Sequence, residues 1–149
     1  MEITGTLSSI LDSKGGQVWT IPPTATVLEA LQLMADRDIG ALAVVDRGAV
    51  VGIFSERDYA RKVILHGKSS KDTDVSEVMT HPPITVSPVQ RIDDCMRMMT
   101  SKRTRHVLVM DGADLIGMIS IGDLVNWTIS AQKDAIGQLS HYIAGSYPV

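Results

Sequence analysis

A shift of 65 positions lays this chain over itself without a gap. Gly52-Ile53-Phe54-Ser55-Glu56-Arg57-Asp58 falls on Gly117-Met118-Ile119-Ser120-Ile121-Gly122-Asp123, and the same shift pairs Thr20 with Thr85, Pro23 with Pro88, Met34 with Met99 and Asp46 with Asp111. Positions that differ mostly exchange one apolar residue for another, as with Val27 and Ile92 or Val51 and Ile116. A fixed period defines the structural unit. Two copies are too few for a solenoid, in which each unit buries its face only on its neighbours. The repeat instead predicts an α+β fold of two related halves about a pseudo-twofold axis.

At 149 residues, with 44% hydrophobic and 21% charged side chains, the chain fits one globular domain with a sizeable core. The net charge of −3 gives no bulk basic field for nucleic acid. No apolar run approaches the roughly 20 residues that cross a bilayer, and no signal segment opens the chain. The single cysteine, Cys95, excludes an internal disulfide, fits a reducing cytoplasm, and sits in an apolar helical pattern that predicts a core thiol.

Each copy reads as strand, helix, strand, strand, helix. In the first, a strand over 18–21 is stopped by Pro22-Pro23, which lack ladder donors. Thr24 or Thr26 caps a helix whose apolar stripe includes Val27, Leu31 and Met34, with Gly40 ending it. Strands over 41–45 and 50–54 flank the turn Asp46-Arg47-Gly48, and a last helix runs from Ser55 to about His66. The second copy predicts a strand over 84–86, a helix carrying Ile92, Met96 and Met99, strands over 107–110 and 115–119, and a helix from Ser120 through Trp127. These patterns divide the chain into an N-terminal helical segment (1–16), a first repeat (17–66), a polar linker (67–81), a second repeat (82–130) and a C-terminal helix and tail (131–149). The two terminal segments lie outside the repeat. In the last, Ile129, Ile136, Leu139 and Ile143 share one helical face, suited to packing on the chain's own domain or to a dimer interface.

The element that carries chemistry is Gly-x-x-Ser-x-x-Asp at the junction of a strand and a helix. The glycine allows close backbone approach or an unusual dihedral angle. Ser55 and Ser120 can cap the helix and leave amides free for an anion. Asp58 and Asp123 follow one turn on, and a carboxylate accepting two hydrogen bonds suits a ribose diol. Ser-x-x-Asp is also a helix-start pattern. Its recurrence at identical positions favours a shared ligand role, since Thr, Asn or Glu would cap as well.

With both motifs, the Thr-x-x-Pro openings and an apolar strand ending in Asp before each hairpin turn, the sequence resembles a CBS-domain pair, or Bateman module. It is most similar to the small stand-alone bacterial type. The resemblance covers about residues 18–127, with 39–46 and 55–62 as typical phrases. It implies two clefts between the repeats, each able to hold an adenosine compound such as AMP, ADP, ATP, NAD or S-adenosylmethionine. It assigns the diol to Asp58 and Asp123, sugar or phosphate to Ser55 and Ser120, and adenine to the backbone of Thr20, Ile21, Thr85 and Val86. Phosphate falls to Arg105 and His106 at the start of a strand. The first copy has Gly40 and Ala41 there, and Arg57 and Arg61 on its motif helix stand in for them. Arg105 and His106 are expected to serve the Asp123 cleft directly and to reach the Asp58 cleft across the pseudo-twofold. The family also forms homodimers through helices.

His106 is either a phosphate ligand and switch or a buried structural imidazole. His66, His81 and His141 lack partners at metal-ligand spacing, so no metal is expected, and no nucleophile–base pair suggests an enzyme. The expected function is regulatory: a module sensing adenosine nucleotides, or an interaction protein whose surface or C-terminal helix controls a partner enzyme without obligatory ligand. A chain of this length leaves no room for an effector domain, so the output is expected to reach a separate protein or to be the bound nucleotide itself.

Overall fold

A computed structural model describes residues 5–143. Its elements run α1 (Leu7–Lys14), β1 (Thr20–Ile21), α2 (Val27–Arg37), β2 (Ala41–Asp46), β3 (Ala49–Ser55) and α3 (Glu56–Asp58), which continues as a π-helical turn over Tyr59–Ile64. After the linker come α4 (Val75–Val78), β4 (Thr85–Val86), α5 (Ile92–Lys102), β5 (His106–Asp111), β6 (Asp114–Ser120) and α6 (Ile121–Ile143). The α+β repeat is as expected. Each half holds a three-stranded sheet, ordered β1-β2-β3 and β4-β5-β6, with the first pair parallel and the second antiparallel.

Local chemistry explains the elements. Thr26 rather than Thr24 caps α2, its Oγ1 accepting from the Glu29 amide at 3.1 Å. Gly40 does not end that helix: Asp38 closes it in the left-handed region (φ 53°), a conformation aspartate tolerates, and Arg103 closes α5 in the same way. Arg47 and Gly48 are both left-handed (φ 52° and 81°), as a two-residue hairpin turn of primed type requires. Val51 and Ile116 each stand unpaired opposite a single register step, giving a β-bulge at the same place in both halves.

The glycine after each bulge is there for space. Neither has a positive φ. A methyl group on Gly52 would lie 2.6 Å from Met79 Sδ and 2.9 Å from the Thr80 carbonyl, and one on Gly117 would lie 2.5 Å from Leu11 Cδ2. Both glycines thus admit the segment that precedes the other repeat. This corrects the expectation that the N-terminal helix stands outside the repeat. The Leu7 amide donates to the Gln90 carbonyl as the Val75 amide does to that of Ala25, its counterpart 65 residues earlier. Leu7, Ile10 and Leu11 enter the second core as Val75 and Val78 enter the first.

A third cluster joins the halves. Ala41, Ala43, Ile53 and Leu108 are buried between the two sheets, and Ala43 and Leu108 are related by the 65-residue shift. Cys95 is fully buried in the second core, and burial raises its thiol pKa. The helix expected to pass Trp127 and the separately expected C-terminal helix are one continuous element, α6. Ile129 and Ile136 on it are exposed; the side chains of Leu139 and Ile143 and the tail from 144 lie outside the described residues.

Candidate functional site: two unequal clefts

Both motifs sit where β3 or β6 passes into a helix, and in both the carboxylate folds back on its own serine. Asp58 Oδ2 accepts from the Ser55 amide and from Ser55 Oγ, each at 3.0 Å, while Ser55 Oγ accepts from the Asp58 amide at 3.2 Å. Asp123 Oδ2 accepts from the Ser120 amide at 2.8 Å and Ser120 Oγ from the Asp123 amide at 3.1 Å. The helix-capping role is therefore present in both copies, against the expectation that recurrence disfavours it. It occupies one carboxylate oxygen, and the two halves differ in what happens to the other.

In the first half, Asp58 Oδ1 accepts from Thr80 Oγ1 at 2.9 Å and from Lys62 Nζ at 3.0 Å. Thr80 lies in the linker, held against β3 by paired backbone bonds to Ile53 of 2.8 and 3.0 Å. Asp58 is buried at 7% exposure and has a donor for each lone pair it can direct. In the second half, Asp123 Oδ1 has no hydrogen-bond partner among the described residues. Its Oδ2 carries a further donor, Lys14 Nζ, at 2.7 Å.

The motifs open into clefts built across the two halves. The larger, about 530 Å³, joins Ser55 and Asp58 to the approach to β4 and the start of β5 from the other half. Six cationic side chains line it (Arg57, Arg61, Lys62, Lys102, Arg103 and Arg105) against the carboxylates of Glu56 and Asp58. The smaller, about 280 Å³, joins Ser120 and Asp123 to Val18, Trp19 and the end of α2. Asp38 stands in it where Arg103 stands in the larger cleft, and Lys14 is its one lining Lys or Arg among the described residues. Arg37 stacks on the Trp19 ring, 4.0 Å from its centroid.

Several expected residues move. Thr20, Ile21, Thr85 and Val86 line neither cleft; they form the short parallel strands, their side chains alternately exposed and buried. The residues before them, Trp19 and Ile84, hold the cleft positions, their carbonyls already accepting from the Ala43 and Leu108 amides of the neighbouring strands. Arg105 lines the Asp58 cleft and not the Asp123 cleft it was expected to serve directly. Arg57 also lines the large cleft but is partly committed, its Nη1 donating to the Arg103 carbonyl at 2.8 Å. Lys14, Trp19, Lys62 and Thr80 are not among the expected site residues.

His106 lines both clefts and stands against Gly40, where an added methyl would lie 3.6 Å from Cε1 and Nε2. Burial lowers its pKa below the ordinary value near 6.5; Asp123 opposes this, Lys14 and Arg105 reinforce it, and Asp58 opposes it. A base whose folded pKa is lowered binds fewer protons folded than unfolded. Stability is therefore complete above pH 6.5 and declines as pH falls from there to the folded value. Melting temperatures across this window should fall more steeply in the wild type than in His106→Gln; identical slopes would show that the imidazole does not report the fold's protonation.

Among the described residues no cluster of His, Cys, Asp or Glu could hold a metal ion, and no helix is long and apolar enough to cross a membrane. Residues 11–64 and 75–130 each match the CBS domain. This chain belongs to the CBS-domain family. As a CBS pair it is 39% identical over 151 residues to the mitochondrial CBS domain-containing protein CBSX3 of Arabidopsis thaliana, covering 95% of this chain and 73% of the relative. It is 31% identical to the protein YhcV of Bacillus subtilis, covering 94% and 92%. A protein with CBS domains from Burkholderia ambifaria has a similar structure (TM-score 0.83, 48% identity, 86% and 96% covered). At 22% identity, the CBS pair of protein MJ0100 shares the fold (TM-score 0.77, 86% and 98% covered).

Proposed function

We propose that this CBS pair is a regulatory module that senses adenosine nucleotides (AMP, ADP, ATP or NAD) within the cytoplasm. The observation that carries the reading is the pairing, in one cleft, of a Ser/Asp motif from one half with a run of cations from the other. The motif offers hydroxyl and carboxylate to a sugar, and the cations suit a phosphate chain. The MJ0100 pair, alike in fold, is in complex with 5′-methylthioadenosine and S-adenosyl-L-methionine, which supports the adenosyl part of the reading. A thermal-shift panel on protein stripped of small molecules tests it. At 100 times its dissociation constant a ligand adds about 2.7 kcal/mol, a rise in melting temperature on the order of 5–10 °C for a chain this size. The 2′-deoxy compounds should give much less. AMP, ATP and NAD all inert would end the proposal.

The apolar residues left on the motif helices support a homodimer. Ile64 (55% exposed) and Ile129 (44% exposed) are related by the 65-residue shift, and Val125 and Ile136 continue the stripe along α6. Paired copies would cover it. Light scattering at micromolar concentration should give twice the 16.1 kDa of the chain; a monomer would instead direct this face to the control of another protein.

A further inference from the structure

Lys14 does with one ammonium group what Thr80 does with two groups in the other half. Thr80 donates its amide to the Ile53 carbonyl at 2.8 Å and its hydroxyl to Asp58. In the second half α1 continues as helix where the linker has become extended, and no backbone bridge to β6 forms there among the described residues. Lys14 Nζ instead donates to the carbonyl of Met118, the counterpart of Ile53, at 2.8 Å and to Asp123 Oδ2 at 2.7 Å. The replacement exchanges a neutral donor fixed on backbone for a cation on a flexible four-carbon stem, 36% exposed.

The geometry points to Lys14 as the residue that sets which charge class the smaller cleft accepts, favouring a nucleoside monophosphate over a polyphosphate. This rests on the adenosine reading of the clefts. Asp123 Oδ1 is free for a ribose hydroxyl while Oδ2 stays with Lys14 and the Ser120 amide. An ammonium has three N–H donors, and two are engaged, so one remains for a ligand oxygen. With a ribose hydroxyl on Oδ1, that third N–H is the donor that meets the phosphate. Lys14 shares the cleft with Asp38 and Asp123, and no second Lys or Arg lines it among the described residues, so one phosphate group can meet the ammonium while each further phosphate adds negative charge with no cation to meet it. The volume agrees, at about 280 Å³ against 530 Å³ for the cation-rich cleft.

The test is titration of the full chain with adenosine, AMP and ATP, following the Trp19 indole N–H resonance, because Trp19 lines only the smaller cleft. The signal is identified by its loss in Trp19→Phe. Wild-type protein should bind AMP at this cleft more tightly than ATP. Lys14→Thr, which restores the hydroxyl of the other half, should weaken AMP roughly 10- to 150-fold, the loss of one charge-assisted contact, and leave adenosine within a few-fold. Lys14→Arg should retain the AMP preference. Equal weakening of adenosine and AMP, or no change in either, would overturn the assignment while leaving the adenosine reading intact. A Trp19 signal that answers none of the three compounds in wild type overturns both.

Discussion

Leu108→Ala is expected to lower stability by about 3–4 kcal/mol and the melting temperature by roughly 10 °C or more. Leu108 is fully buried in the cluster between the two sheets, where β2 and β5 face each other. Its removal leaves a cavity there in addition to the lost transfer energy. Each cleft takes one wall from each half, so a loosened joint also weakens ligand binding at both. The repeat supplies its own control. The counterpart of Leu108 is Ala43, also fully buried in the same cluster, so the halves fill the joint with one large and one small side chain. Ala43→Leu combined with Leu108→Ala keeps the total volume and should recover at least half of the loss, because contacting core sites couple. Calorimetric melts of the two single variants and the double variant decide it. Strict additivity would mean that the two positions do not share a cavity.

The same pseudo-symmetry explains what the sequence could and could not disclose. Periodicity and turn residues are local properties, so each sheet and long helix of the repeat could be read directly, and so could the motif serines and aspartates. The misread helix end at Gly40 arose because glycine is the usual left-handed cap, while Asp38 reaches that conformation at some cost. The cleft residues that escaped have partners far away in sequence. Lys14 meets Asp123 across 109 positions and Thr80 meets Asp58 across 22, separations at which a hydrogen bond leaves no periodic trace. Trp19 and Ile84 were passed over for the residues beside them, because a two-residue strand does not announce where its sheet begins. The sequence did carry one unused signal. Ile129 and Ile136 share a face with the helix starting at Ser120, and no proline intervenes, so α6 could have been read as one element. Equally, the pairing of each motif with the opposite half follows from the pseudo-twofold, and no single repeat could show it.

Asp58→Ala and Asp123→Ala, identical substitutions at equivalent positions, are expected to fail differently. Asp58 is buried and accepts from the Ser55 amide, the Ser55 hydroxyl, Thr80 and Lys62. Its loss removes the reciprocal bond of the Ser55 capping box, worth about 1 kcal/mol, and leaves buried donors unpaired at about 1–3 kcal/mol. Lys62 is 42% exposed and adds little, since solvent screens it. The total of roughly 3 kcal/mol should lower the melting temperature by about 10 °C. Asp123 is 20% exposed in its side chain and keeps one oxygen without a protein partner, and the Lys14 ammonium can turn to water when the carboxylate is gone. Asp123→Ala should therefore cost about 1 kcal/mol, mainly the lost bond from the Ser120 amide. Its effect belongs to the ligand. A free carboxylate oxygen can take a ribose hydroxyl without displacing anything, whereas a diol at Asp58 must compete with Thr80 and Lys62. Discrimination between adenosine and 2′-deoxyadenosine at the smaller cleft should fall roughly 10- to 150-fold in Asp123→Ala. At the larger cleft, phosphate contacts should carry most of the affinity, and ATP binding should survive Asp58→Asn better than Asp58→Ala, since the amide oxygen keeps an acceptor for the cap. Thermal melts paired with binding isotherms for the three variants separate these roles. Equal melting temperatures for the two alanine variants would show that the fourfold coordination of Asp58 adds no stability over the reciprocal capping bond of Asp123.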